Sequence, residues 1–315
     1  MKMYLSFVLV LTTGMIAADD TSIVPPGFIS GNIETYSSNL PIEPHISGDN
    51  TCGDLFPDGH SIPSVSPGTD AFSFTEVNWS PFNLYGAGNP LLGLDMVIWS
   101  GDKVMTPMDS VYLLNPDDGT KFMALPLDPS NTYPFGCYVY SSINTNDYSN
   151  SSIYYTPDIG VTWTTTTNPS GSLGRGMDAD FTTGLIWETY YNTGVYSFLH
   201  QSSTGTFHDL SAYIPGQLSG LTVYDNGGCN YLVINTYSSN YAYFFDLDDN
   251  LNFLGTAEYP YPTAFYKSYG LTYCPARDTF FWSFKNTSDN CYLIELQLSI
   301  TSLEQSTWGE IKSSF

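Results

Sequence analysis

The chain has 315 residues, 42% of them hydrophobic and 16% aromatic, enough for a sizeable core in one large domain or two small ones. Charged residues make up only 12%, against about a quarter in ordinary globular proteins, so much of the polar surface falls to Ser, Thr, Asn and Tyr. Lys and Arg number 8 against 31 Asp and Glu, and the net charge of −23 repels phosphate backbones and anionic lipid, which sets aside nucleic-acid and membrane-surface binding.

Residues 1–18 read as a cleavable signal peptide: Lys2 gives the positive start, 5–16 a mostly apolar core, and Ala17-Ala18 a small-residue cleavage site. The apolar run is too short to cross a bilayer, and no later stretch approaches spanning length. The mature protein is therefore expected to be secreted or extracytoplasmic. Residues 19–69 are dense in proline, which keeps most of them out of central strands, and they read as an irregular cap. One strand over 27–38 is compatible with that reading.

From Asp70 a strand rhythm begins and runs to about 305. AFSFTEVNW, LLGLDMVIW, SVYLLN and KFMALPL read as a first unit, with a hairpin turn at Asp117-Asp118-Gly119. GCYVYSS, IYYTPD and VTWTTTT belong to a second, interrupted by the polar run INTNDYSNSS. GMDADF, LIWETYY, GVYSFLH and TFHDLS make a third. The fourth is the clearest: LTVYD, NYLVINTY, YAYFFDLD and LNFLGTAEY, cut by Gly, Asn, Ser and Asp clusters. GLTYCP, TFFWSFK and CYLIELQLS form a fifth, with a short remainder near Thr301. No amphipathic helix is evident in the mature chain.

Corresponding glycines mark the period at Gly136, Gly176, Gly220 and Gly270. A four-strand meander recurring every ~40–50 residues cannot hide its own apolar faces and predicts an all-β propeller of four-stranded blades. The expectation is five blades, or six if 27–69 supplies one.

Thr156-Pro157-Asp158-Ile159-Gly160-Val161-Thr162-Trp163 resembles the Asp-box hairpin of sialidase-like propellers, with Thr in place of the first Ser and a single copy. The resemblance implies a structural turn away from any active site. Gly220-Leu221-Thr222-Val223-Tyr224-Asp225 and Phe245-Asp246-Leu247-Asp248 are similar to blade motifs of secreted bacterial propellers of the NHL/YVTN-like type, a likeness of pattern over roughly 70–300. Such scaffolds host enzymes and binding modules alike.

A sialidase needs several arginines converging on one carboxylate. The chain has two, Arg175 before an innermost strand and Arg277 after one, hence at opposite faces. Paired-carboxylate hydrolysis is harder to set aside among so many acids. Asp178 and Asp180 alternate on one innermost strand and share a side of it, though a solvated or turn-capping Asp is the plainer reading. His45, His60, His200 and His208 are dispersed, and Asp246-x-Asp248-x-Asn250-x-Asn252 lacks the glycine and distal glutamate of a calcium loop. There is no phosphate loop, G-x-S-x-G or H-E-x-x-H, so neither cofactor nor metal is expected.

Five cysteines allow one or two disulfides with a thiol left over. Placing Cys274 and Cys291 at opposite ends of a blade argues against pairing them. Asn78, Asn150 and Asn286 begin glycosylation triplets. The tail over 306–315 resembles short TWGxIK ends of exported bacterial proteins, which implies a sorting role; an ordinary chain end, with Trp308 against the last blade, is the plainer reading.

Aromatic residues remain. Most of the 25 Tyr must fill the space between blades; Tyr190, Tyr191, Tyr237, Tyr241, Tyr266 and Tyr269 are candidates for exposure. Arg175, Gln217 and Lys267 stand just ahead of Gly176, Gly220 and Gly270, where loops enter the innermost strands at the funnel mouth. With Asp178, Asp180 and Tyr269 they form the candidate ligand rim. The expected function is a secreted, non-catalytic binding or cell-surface module for an extracellular carbohydrate, other polymer or protein. The alternatives are a propeller-type glycoside hydrolase or lyase using paired carboxylates, and a purely structural envelope protein.

Overall fold

A computed structural model describes residues 72–82 and 91–300, apart from 193, 226–228, 260–264, 287 and 289. The expected signal peptide, the cap over 19–69 and the tail over 306–315 lie outside the described residues. Twenty strands form five four-stranded antiparallel sheets, a five-bladed β-propeller. In chain order from the axis outward, blade one is β2 (Asp95–Ile98), β3 (Asp102–Pro107), β4 (Ser110–Leu114) and β5 (Lys121–Pro126). Blade two is β6 (Pro134–Val139), β7 (Ile143–Asp147), β8 (Ser152–Thr156) and β9 (Thr164–Thr167). Blade three is β10 (Gly174–Asp180), β11 (Leu185–Tyr190), β12 (Gly194–Leu199) and β13 (Thr206–Asp209). Blade four is β14 (Leu218–Asp225), β15 (Asn230–Thr236), β16 (Tyr241–Asp246) and β17 (Asn252–Glu258). Blade five takes β18 (Phe265–Cys274), β19 (Thr279–Asn286) and β20 (Cys291–Ile300) from the end of the chain, and its outermost strand β1 (Phe72–Phe82) from the beginning.

That last pairing corrects the first unit read from sequence. AFSFTEVNW does not open blade one; it closes blade five, pairing with β20 from Phe72↔Ile300 to Phe82↔Cys291. Blade one instead gains DKVMTP as its second strand. The polar run INTND, read as an interruption, is β7 and is buried along its whole length. The ring closes with five blades, so a sixth drawn from 27–69 is not needed.

Each blade is covered on both sides by its neighbours, which is why most inner strands are buried at every position rather than at alternate ones. The apolar core divides into five clusters, one per blade–blade interface. Strand alternation assigns side chains to interfaces: Phe280, Trp282 and Phe284 of β19 face blade four, while Phe281 faces blade one.

The axis is closed by backbone. Gly93, Gly136, Gly176, Gly220 and Gly270 form a ring in which each glycine abuts the next blade's innermost strand. A Cβ on Gly176 would lie 2.6 Å from Gly220 Cα, one on Gly220 2.6 Å from the Tyr269 oxygen, and one on Gly270 2.9 Å from the Gly93 carbonyl carbon. In the later four blades a bulge interrupts the first pairing beside the glycine, and a polar side chain of the second strand fills it. Asn146 accepts from Gly136 N (2.6 Å) and donates to the Arg175 carbonyl of the next blade (2.9 Å). Asn235 does the same between Gly220 N (2.5 Å) and the Tyr269 carbonyl (2.8 Å), and Ser283 between Gly270 N (2.9 Å) and the Leu91 carbonyl (2.6 Å). Thr189 donates to the Ser219 carbonyl (2.7 Å). These side chains satisfy backbone groups that the bulges would otherwise leave buried and unpaired.

Cys137, Cys274 and Cys291 are buried thiols, so Cys274 and Cys291 do not pair, and Cys229 is disulfide-bonded. Among the described residues no helix is long and apolar enough to cross a membrane.

Candidate functional site at the channel mouth

Because strands one and two of a blade are antiparallel, the start of each innermost strand and the end of its partner meet at the same face. Tyr148, Tyr191 and Tyr237 each stand two residues after a bulge-filling residue, Asn146, Thr189 or Asn235. Three consecutive blades thus deliver a tyrosine to equivalent places; the matching positions in the other two blades are Asp109 and Lys285. The mouth is therefore lopsided, aromatic over blades two to four.

Arg175, at the start of β10, sits inside this arc. Its guanidinium carbon lies 4.4 Å from the ring centroid of Tyr191, 5.1 Å from Phe135, 5.3 Å from Tyr237 and 5.5 Å from Tyr148. Nη1 donates to the Leu218 carbonyl at 2.7 Å, and Nε is sealed without an acceptor. Burial lowers the guanidinium's pKa, while the surrounding tyrosines, Tyr148 foremost, oppose that shift. Lys267 places Nζ 4.0 Å from the Tyr237 ring. Gln217 donates its amide to the Tyr191 hydroxyl. Tyr269, expected to be exposed, is instead 5% exposed and packs edge-on against Tyr237 at 5.4 Å, whereas Tyr133, 52% exposed, lies 5.7 Å from Tyr148.

Four of the six candidate residues, Arg175, Gln217, Lys267 and Tyr269, are therefore neighbours. Asp178 is not on the rim: it lies deeper along β10, buried against β14, where its carboxylate accepts from Ala179 N, Val223 N and the Thr222 hydroxyl at 2.6–2.8 Å. Asp95, at the same depth in blade one, accepts from Met96 N and Val139 N. Burial pushes both carboxyls above the ordinary range, and the charge of Asp178 adds to the rise at Asp95. Asp180 lies at the far end of β10 and caps the β10–β11 turn, accepting from Thr182 N (2.8 Å) and the Thr183 hydroxyl (2.5 Å). Tyr190 packs instead with Tyr196 and Phe207 on the outer strands of blade three. The role of Tyr148 escaped sequence reading, although the spacing Asn146-x-Tyr148 repeats as Thr189-x-Tyr191 and Asn235-x-Tyr237.

The opposite face carries Arg277. It pairs with Asp117, with Glu295 at 3.1 Å and with Asp102 at 3.9 Å, beside a polar pocket of about 410 Å³ that includes Lys103 and Asp118. The two arginines are at opposite mouths, and no guanidinium cluster forms. His200 meets Tyr138 and Ser141 (3.0 and 3.1 Å), whereas His208 meets Ser197 (2.9 Å). Among the described residues no group of three or more His, Cys, Asp or Glu could hold a metal ion. Asp246 accepts from Asp248 N and Asp249 N in a hairpin turn. In the β8–β9 turn Asp158 binds Thr162 N (2.7 Å) and both threonine hydroxyls, Gly160 takes φ +84°, and Trp163 Nε1 donates to the Pro126 carbonyl (3.2 Å).

No protein-family profile matches the chain, and no curated protein matches it in sequence. Among solved structures, a chain of a nidogen/laminin complex aligns at 12% identity and a TM-score of 0.46, covering 69% of this chain and 87% of that one. The hydrazine synthase of Kuenenia stuttgartiensis aligns at 9% identity and a TM-score of 0.39, covering 64% and 57%. Similarity at this level assigns no activity, and the fold assignment rests on strand order and register.

Proposed function

We propose that this protein is an exported, non-catalytic carbohydrate-binding propeller whose ligand docks at the aromatic mouth around Arg175. One observation carries the reading: three successive blades each place a tyrosine at the same mouth, where Gln217 and Lys267 supply polar contacts. Tyrosine presents a flat apolar face with a polar tip, which suits the alternating faces and edges of a pyranose. Export is supported by the apolar segment ahead of Ala18 and by the low charge density. The Gly220 to Asp225 and Phe245 to Asp248 motifs support kinship with secreted propellers of the NHL/YVTN-like type, and the Asp158 turn supports an Asp-box-like hairpin on the same scaffold. Hydrolysis by paired carboxylates is disfavoured because Asp95 and Asp178, buried acids on innermost strands, direct their oxygens to backbone N–H groups.

Binding to an array of extracellular oligosaccharides, followed by calorimetry on Tyr191→Ala and Tyr237→Ala, tests this. Each substitution is expected to weaken binding roughly tenfold with little change in melting temperature. No retention of any glycan by the folded protein would sink the reading.

A further inference from the structure

Building on the carbohydrate reading, we propose that the sugar bound at the mouth carries a carboxylate, held by Arg175 and Lys267. The two arginines differ in a way that composition makes informative. With 31 acids to 8 bases, a cation in this chain has carboxylates in abundance, and Arg277 indeed has three. Arg175 is 6% exposed and has no carboxylate partner among the described residues; Nη1 donates to the Leu218 carbonyl, Tyr148 adds a neutral side-chain hydrogen bond, and Nε finds no acceptor. Taking a guanidinium out of water without an anion is unfavourable, and aromatic faces offset only part of that. Lys267 and Arg175 approach the same Tyr237 ring, at 4.0 and 5.3 Å. An anion lodged beside that ring would meet both positive groups.

The whole-molecule charge selects the kind of anion. A field of −23 repels polymeric and doubly charged anions at range, so the ligand that fits is an otherwise neutral oligosaccharide with a single uronic-acid carboxylate. Its planar oxygens suit the guanidinium fork, and its ring faces suit Tyr191 and the exposed Tyr133.

The test is calorimetry on the full chain with glucuronosyl-xylobiose and its carboxyl-reduced, neutral counterpart. The acid sugar is expected to bind at least about tenfold more tightly, the size of one charge-assisted pair. That preference should shrink as salt rises to about 500 mM. Because Arg175 is buried and its variants risk misfolding, Lys267→Met carries the mutational arm and is expected to narrow the gap between the two sugars. Equal binding of both sugars, or a gap unchanged in Lys267→Met, overturns the carboxylate and leaves the carbohydrate reading standing. Binding of neither sugar overturns the proposal, and silence across the wider glycan array removes the carbohydrate reading with it. Tighter binding of an acidic tetrapeptide than of the acid sugar replaces the sugar with a protein ligand.

Discussion

Glu188 lies sealed between blades two and three, where Asn146 and Asn168 donate to one carboxylate oxygen at 2.6 and 2.8 Å and the other meets no donor. Burial lifts its carboxyl from 4.5 to about 7, against the opposing pull of Ser170, Asn146 and Asn168. A folded-state pKa above the unfolded one means that the folded chain holds the proton more tightly. The resulting stabilisation is full below about pH 4.5 and is lost as pH rises through 7, a swing of about 3 kcal/mol. Asp95 and Asp178 shift in the same direction. Melting temperature is therefore expected to be higher at pH 5 than at pH 8, and Glu188→Gln should raise it at pH 8 while flattening the profile. A Glu188→Gln protein that keeps the wild-type pH profile would show that this carboxyl does not govern it. At the axis, Gly176→Ala sets a methyl 2.6–2.8 Å from backbone atoms of blade four, with no flexible side chain to yield. A loss of roughly 3 kcal/mol or more is expected in urea melts.

At the scale of the strand, β1 is the seam. Phe72 is 1% exposed and stacks on Phe244 of blade four at 4.3 Å, while Phe74 packs edge-on to Phe280 and Trp282. Truncating Phe72 to Ala should cost about 3–5 kcal/mol, seen as a lower urea midpoint; a loss under about 1 kcal/mol would mean that β1 contributes little to closure. The same strand marks a limit of sequence reading. Its alternation of Phe72 and Phe74 with polar residues announces a strand, but nothing local names the sheet it joins, because its partner sits at the other end of the chain. Blade four was legible throughout, since its turns are rich in Asn, Asp, Ser and Gly and its strands in Tyr, Phe, Val and Ile. β7 was not, because its polar side chains are buried by hydrogen bonding, Asn146 accepting from Gly136 N and Asn144 donating to the Ser142 carbonyl, instead of by apolar packing. β3 was hidden by Lys103, whose ammonium reaches the Ser100 and Asp102 carbonyls and lies over the Phe122 ring at 4.7 Å. The proximity of Arg175, Gln217 and Lys267 was legible from their place just ahead of the period-marking glycines. The depth of Asp178 was not, since a strand pattern gives the side a residue faces and not how far along the axis it is covered.

For the molecule as a whole, 31 acids against 8 bases make self-repulsion the dominant long-range term. Raising salt from about 10 to 500 mM should therefore increase the melting temperature by a few degrees as the field is screened. A decrease would mean that attractive pairs such as Arg277–Glu295 outweigh it. The ring itself has a temporal consequence. β1 is the first described strand to leave the ribosome, yet Ile300, which faces Phe72 across the seam, lies 228 positions further along the chain (300 − 72). Four blades can form from neighbouring segments as they emerge, but the circle stays open until the final blade arrives. Closure is thus the most non-local strand pairing among the described residues and the natural slow step of folding.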